Sequence, residues 1–208
     1  MIGAGPVGTV LGQALAAAGH QVIADASSDP QQTLAEADLV LFAIPAAELA
    51  ATISGYAKAG LFKPGQLVAH TAGEFGIDVL QSAAELGVIP LAIHPAMTFT
   101  GTSIDLTRIR ESYFGVAAPD AALPIAQALV IEMGAEPIVV SDENRKTYFE
   151  AISVANNFSK LIVNQSIGLL ESIGVEHARV VLGPLIRSAV EEALADGHTP
   201  INPEELLD

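Results

Sequence analysis

Residues 3–8 read Gly3-Ala4-Gly5-Pro6-Val7-Gly8, a G-x-G-x-x-G run between a short apolar start, Met1–Gly3, and an Ala/Leu-rich stretch, Val7–Ala18. Glycine-rich turns are common, so the run acquires meaning from its surroundings: a strand before it, a helix opening within it, and a second β-branched segment at Gln21–Ala26. In that setting Gly3 permits the tight turn, Gly5 lets a pyrophosphate approach the backbone, and Gly8 lets helix and strand pack closely. Pro6 and Val7 open the helix, whose N-terminus then faces the anion. These five residues are the expected diphosphate berth of a dinucleotide. Asp25 lies where an acid can bond the ribose 2′-OH of NAD, while Ser27 and Ser28 are placed to hold the 2′-phosphate of NADP; the two cofactors stay open.

Outward from the loop, strands are expected at Leu39–Ile44, Leu67–Thr71, Ile89–Ile93, Tyr113–Ala117 and Pro137–Val140. Helices are expected at Gln31–Ala37, Ala46–Ala57, Ile77–Leu86 and Ala121–Met133, where apolar residues recur at helical spacing. Strand and helix taking turns predicts an α/β fold, a mostly parallel sheet with helices on both faces. The alternation stops after Val140. Ser141 is placed to cap a helix running to about Ile173, and another starts near Glu176, breaks at Gly183-Pro184 and resumes to Asp196. The expected division is therefore 1–140, a nucleotide-binding domain, and 141–208, an all-α module. The interval from Asp25 to Leu39 is short for a helix–strand unit. Either that unit is reduced or part of the natural chain is missing, and the ending INPEELLD raises the same expectation.

Composition narrows the function classes. The 208 residues are 50% apolar and 16% charged, which fits a globular chain and neither a disordered nor a membrane one. Nine Lys+Arg against 24 Asp+Glu give a net charge of -15, the wrong sign for nucleic acid or an anionic membrane. Without cysteine there are no disulfides and no thiolate chemistry, consistent with a cytoplasmic location. The apolar start lacks a basic segment and is not read as an export signal. The five histidines show no ligand-like pairing, so no metal is expected.

In sheets of this kind the ligand lies beyond the carboxyl ends of the strands, so polar residues there matter most. Ile44-Pro45 is expected to line the cofactor groove. Thr71, after His70, is placed to meet cofactor or substrate. His94, ahead of Pro95 and the segment bearing Thr98, is expected to carry the proton exchanged with the substrate oxygen, on an unperturbed pKa near 6.5. In the long helix Ser153, Asn156, Asn157, Lys160 and Asn164 recur at spacings of three and four, a stripe of amide and hydroxyl rather than charge. Asn157 is suited to orient a substrate, and Lys160 or Arg187 to hold a carboxylate. Polar packing between helices explains the same stripe equally well.

Taken together, GAGPVG (3–8), ADLVLFAIP (37–45), LVAHTAG (67–73), IPLAIHPAMTFTG (89–101), ISVANNFSKLIV (152–163) and GPLIRSAVEEAL (183–194) resemble bacterial Rossmann-like proteins with a C-terminal domain of unknown function. That family is often labelled as NADP oxidoreductases of the coenzyme F-420-dependent type. The wider group is the 6-phosphogluconate dehydrogenase-like assembly, with pyrroline-carboxylate and ketopantoate reductases. The resemblance implies an oxidoreductase using NADP or NAD on a small carbonyl, hydroxy or imine substrate, a 2-keto acid foremost. It also implies a homodimer through the C-terminal helices. His94-Pro95 is similar to the His-Pro of prephenate dehydrogenases, whose histidine meets the reacting hydroxyl. Hydroxyisobutyrate-type enzymes place a catalytic lysine three residues before an Asn-Asn pair; Ser153 stands at that position here, leaving His94 as the proton carrier and Ser153 as a substrate contact. A nucleotide sensor without catalysis and a deazaflavin-dependent reductase are the alternatives.

Overall fold

The computed structural model describes residues 1–23 and 30–197. Asp25, Ser27 and Ser28 lie outside them. By its internal contacts the chain divides into Met1–Ile152 and Ser153–Asp208, a division that falls inside the long helix.

The first unit is built on five strands, β1 (Leu39–Phe42), β2 (Leu67–His70), β3 (Ile89–Pro95), β4 (Tyr113–Ala117) and β5 (Glu136–Val139), lying side by side in chain order. All neighbouring pairs are parallel except β3 and β4, which run antiparallel with His94 opposite Gly115. Side chains alternate between the two faces, as the pleat requires. Leu41, Ala69, Leu91 and Ile93 enter one apolar cluster with α1 (Pro6–Ala17) and α6 (Leu123–Glu132). Val40, Phe42 and Val68 enter the other with α2 (Pro30–Glu36), α3 (Ala46–Lys58) and α4 (Gln81–Ala84). A short helix absent from the sequence expectation, α5 (Ile104–Ile109), buries Ile109 in the first cluster.

Several expectations are corrected. Met1–Gly3 forms no strand of its own but a single parallel bridge, Ile2 to Phe42. Gln21–Ile23, the described part of the second expected strand, is not in the sheet. The Ile77–Leu86 helix divides into a 3-10 turn, Ile77–Leu80, and α4. Ser141 makes no side-chain cap; its hydroxyl accepts from Asn144 Nδ2 (3.1 Å), and a 3-10 turn, Asp142–Asn144, precedes α7 (Arg145–Ser172).

The second unit comprises the rest of α7 and α8 (Ala178–Asp196). Pro184 does not break α8, which continues through it. Its missing N–H removes one bond of the helical ladder, and the bonds on either side carry the helix on. Among the described residues of this unit only Ala178 is buried. Phe158, Leu161, Ile162, Leu169, Leu185 and Leu194 are all more than half exposed.

Candidate functional site

The glycine loop has the geometry its spacing predicts. Gly3 adopts φ +113°, in the region that favours glycine, and a Cβ there would lie 2.2 Å from the Ala43 carbonyl oxygen. At Gly8 a Cβ would lie 2.2 Å from the Gly3 carbonyl oxygen, so helix and turn meet backbone to backbone. Gly5 is the opposite case: exposed, with nothing within 4 Å of a built Cβ. Two glycines are thus required by the chain itself, and the third leaves open space at the N-terminus of α1, where Pro6 occupies the first turn. Unpaired amides and the positive end of the helix favour an anion there. Ile44 packs against Gly3, its Cγ2 3.2 Å from the built Cβ, and exposed Pro45 opens α3.

The Met97–Ser103 loop is tied to the same region. Asp105, buried on α5, accepts from the amides of Thr100 (2.7 Å) and Gly101 (2.8 Å) and from the Thr100 hydroxyl (3.0 Å). Burial works to raise its pKa; these donors and Arg108 outweigh it and hold the carboxyl below its ordinary value. Gly101, held at φ +76°, then sits against the Pro6 ring. Thr98 is exposed on this loop. Thr71 spends its amide on the Phe42 carbonyl (3.1 Å), and its hydroxyl makes a long contact with the same oxygen (3.5 Å).

His94 belongs to β3, one residue beyond the expected strand end, and is partly exposed. Its Nδ1 lies 2.9 Å from the Tyr148 hydroxyl, with the two rings 87° apart. Phe149 packs edge-on to the same imidazole. Arg145 is 2% exposed, with Cζ 5.6 Å from the Tyr148 ring centroid. Its guanidinium reaches the carbonyls of Gly115 and Val140 only at 3.4 Å, and among the described residues no carboxylate lies within 4 Å of it. Burial first, then the charge of Arg145 and the neighbouring His70, push His94 down to about 4. The unperturbed value expected from sequence is therefore corrected: at neutral pH this ring is uncharged. His70 is fully buried, bonded through Nε2 to the Gly76 carbonyl (2.8 Å), and likewise pushed down to about 4, chiefly by burial.

Ser153, Asn157, Lys160 and Arg187 lie in the second unit; Asn157, Lys160 and Arg187 are exposed, and Asn157 accepts from Asn156 Nδ2 (3.2 Å). Sequence reasoning missed Tyr148, Arg145 and Asp105. Arg145 follows Ser-Asp-Glu-Asn and reads as a solvated helix start, and nothing local marks Tyr148 as a partner of His94. A cavity of about 390 Å³ under Met1, Leu15, His20, Val22, Thr33 and Leu41 shares no residue with the loop or the His94 cluster. Among the described residues, no helix is long and apolar enough to cross a membrane, and no metal-binding group of His, Asp or Glu is present.

No curated protein matches the chain in sequence. Among solved structures, a Thermotoga maritima protein has TM-score 0.61 and 18% identity over 74% of this chain, which spans only 57% of that protein. A proposed NADP oxidoreductase from Bacteroides fragilis has TM-score 0.70 and 22% identity over 92% of this chain and 78% of its own. Plasmodium falciparum pyrroline carboxylate reductase, solved with NADP bound, has TM-score 0.63 and 11% identity over 99% of this chain and 80% of its own. At such identities the likeness is one of fold. Residues 25–95 match the Rossmann-like domain model and residues 112–201 the domain of unknown function DUF2520. The two matches follow each other along the chain in the domain order that the sequence resemblance implies.

Proposed function

We propose that the protein is an NAD(P)-dependent oxidoreductase acting on a small carbonyl, hydroxy or imine compound, with a 2-keto acid as the preferred class. The observation that carries this is the glycine loop: Gly3 and Gly8 cannot hold a side chain, while Gly5 leaves open space at the amino end of α1. The residues present therefore fit a diphosphate. When bound, the nicotinamide supplies or accepts hydride at the substrate carbon. The chain's own groups do the rest. Gly3–Gly8 hold the diphosphate, Ile44, Pro45 and Thr71 border the cofactor, and His94 faces the reacting oxygen as a neutral ring. Thr98, Ser153, Asn157, Lys160 and Arg187 are proposed as substrate contacts on the chemistry of their side chains.

Fluorescence titration with NADPH and NADH, followed by a screen of 2-keto acids and cyclic imines for loss of nicotinamide absorbance, tests the reading. Binding with turnover is expected. Binding without turnover would turn the proposal into a nucleotide sensor, no binding would end it, and a deazaflavin absorbance on the purified protein would redirect it to that coenzyme.

We further infer a homodimer. The helical residues from Ser153 to Asp196, of which only Ala178 is buried, leave an apolar surface that water disfavours, and a second copy offers the same surface in return. Sedimentation of the full chain checks this, a monomer at micromolar concentration being the adverse result.

A further inference from the structure

Two glycines make room for the His94–Tyr148 pair. A Cβ on Gly73 would lie 2.6 Å from His94 Nε2, and one on Gly115, the residue opposite His94 on β4, would lie 2.7 Å from the Tyr148 hydroxyl and its ring carbon Cζ. Because neither position has a side chain, the phenol settles over the strand and meets His94 Nδ1 at 2.9 Å. Resting on the oxidoreductase reading, we propose that Tyr148 donates this hydrogen bond and so fixes His94 as its Nε2–H tautomer, making the site one for a carbonyl oxygen rather than a protonated imine.

The direction of the bond follows from acid–base chemistry. A phenol is a much stronger acid than a neutral imidazole, and imidazole nitrogen is the stronger base, so the better bond runs from Tyr148 to Nδ1. The Arg145 guanidinium beside the ring polarises the phenol in the same sense. With Nδ1 accepting, the ring proton must sit on Nε2. Among the described residues the buried side-chain nitrogens and oxygens without a partner are His70 Nδ1 and Arg145 Nε. His94 is partly exposed and its bond to Tyr148 uses Nδ1, so Nε2 is the ring nitrogen left to meet a substrate.

A donor at that atom suits an acceptor. A carbonyl oxygen accepts; a protonated imine presents its own N–H and has no lone pair to offer. The surrounding charge points the same way. The groups bearing on the imidazole are Arg145, Tyr148 and Phe149 from α7 and His70 from the end of β2, and none is a carboxylate. Asp142 and Asp78 bear on Arg145 and His70 respectively. With His70 uncharged at neutral pH, the formal charge bearing directly on the imidazole is that of Arg145, which favours an anionic keto acid over an iminium cation.

The tautomer can be read without substrate. Nitrogen-15 NMR of histidine-labelled protein at pH 7, with the His94 signals assigned by their loss in His94→Gln, is expected to show a protonated Nε2 and an unprotonated Nδ1; the reverse overturns the proposal. In Tyr148→Phe, which keeps a ring over Gly115, the tautomers are expected to mix and the His94 pKa to rise as the Nδ1 lone pair is freed. A folded Tyr148→Phe with both unchanged overturns the lock, and if that variant does not fold the wild-type spectrum still decides. With NADPH, a 2-keto acid is expected to exceed a cyclic imine carboxylate at least tenfold in kcat/KM, and the opposite order overturns the substrate assignment. Reduction of neither, with Nε2–H in place, overturns the oxidoreductase reading and with it the substrate class, while the tautomer lock stands.

Discussion

The glycine loop and the His94 cluster are built on opposite plans. The loop is six consecutive residues whose geometry is set by backbone: two positions where a Cβ would strike a carbonyl oxygen and one where it would meet nothing. The cluster gathers His94 from β3, Gly73 from the turn after β2, Gly115 from β4, and Arg145 and Tyr148 from α7. A backbone site tolerates no side chain but needs no distant partner. A side-chain site depends on several segments arriving together, and each arrival alters the chemistry of the others, as the fall of His94 to about 4 shows.

The sharpest way to separate the plans is within the loop. Gly8→Ala is expected to abolish dinucleotide binding and to lower stability by about 2–3 kcal/mol through backbone overlap. Gly5→Ala is expected to leave the melting temperature unchanged while weakening binding by roughly tenfold, since only a bound diphosphate needs that space. Equal melting temperatures for both variants would break the distinction. On the cluster side, His94→Ala is expected to cost about 10²–10³ in kcat/KM while sparing cofactor affinity, as for loss of one hydrogen-bond donor at a reacting oxygen. Turnover equal to the parent would remove His94 from the chemistry.

A smaller effect concerns pH. His70 and His94 are pushed from 6.5 to about 4 in the folded chain, so the unfolded chain takes up protons first as pH falls. Their contribution to stability is therefore complete above pH 6.5 and is lost as pH drops through about 4. Urea midpoints at pH 7.5 and 4.5 are expected to differ, and His70→Gln, which keeps a donor for the Gly76 carbonyl, is expected to narrow the gap. An unchanged gap would place the pH response elsewhere. Asp105, whose folded pKa is lowered, acts in a more acidic window, below the ordinary carboxylate value. Asp105→Asn is expected to weaken dinucleotide affinity by about threefold, because the Thr100–Gly101 turn it ties down rests on Pro6; a tenfold loss of turnover at unchanged affinity would argue against this role.

The core strands were legible because each is a short β-branched or apolar run with alternating faces, as Leu39–Phe42 and Leu67–His70 illustrate. Where the reading failed, a local signal did not decide the element. Gly183-Pro184 carries a strong break signal, yet α8 runs through it. Met1–Gly3 has strand chemistry, yet it forms a single bridge, Ile2 to Phe42. In the candidate site, Gly3, Gly5 and Gly8 were readable from spacing alone. His94 was readable as a residue but not as an acid, since its pKa depends on burial and on Arg145, fifty-one positions away by number.

The order of residues by itself determined the alternating sheet, the glycine turn and a histidine near the carboxyl end of β3, because backbone conformation and side-chain periodicity are local properties. Only the tertiary structure decided that this histidine is neutral, that a tyrosine from α7 faces its Nδ1, and that an arginine lies buried with no carboxylate within 4 Å among the described residues. Solvation and Coulomb interaction depend on distance in space, and no spacing along the chain encodes that distance.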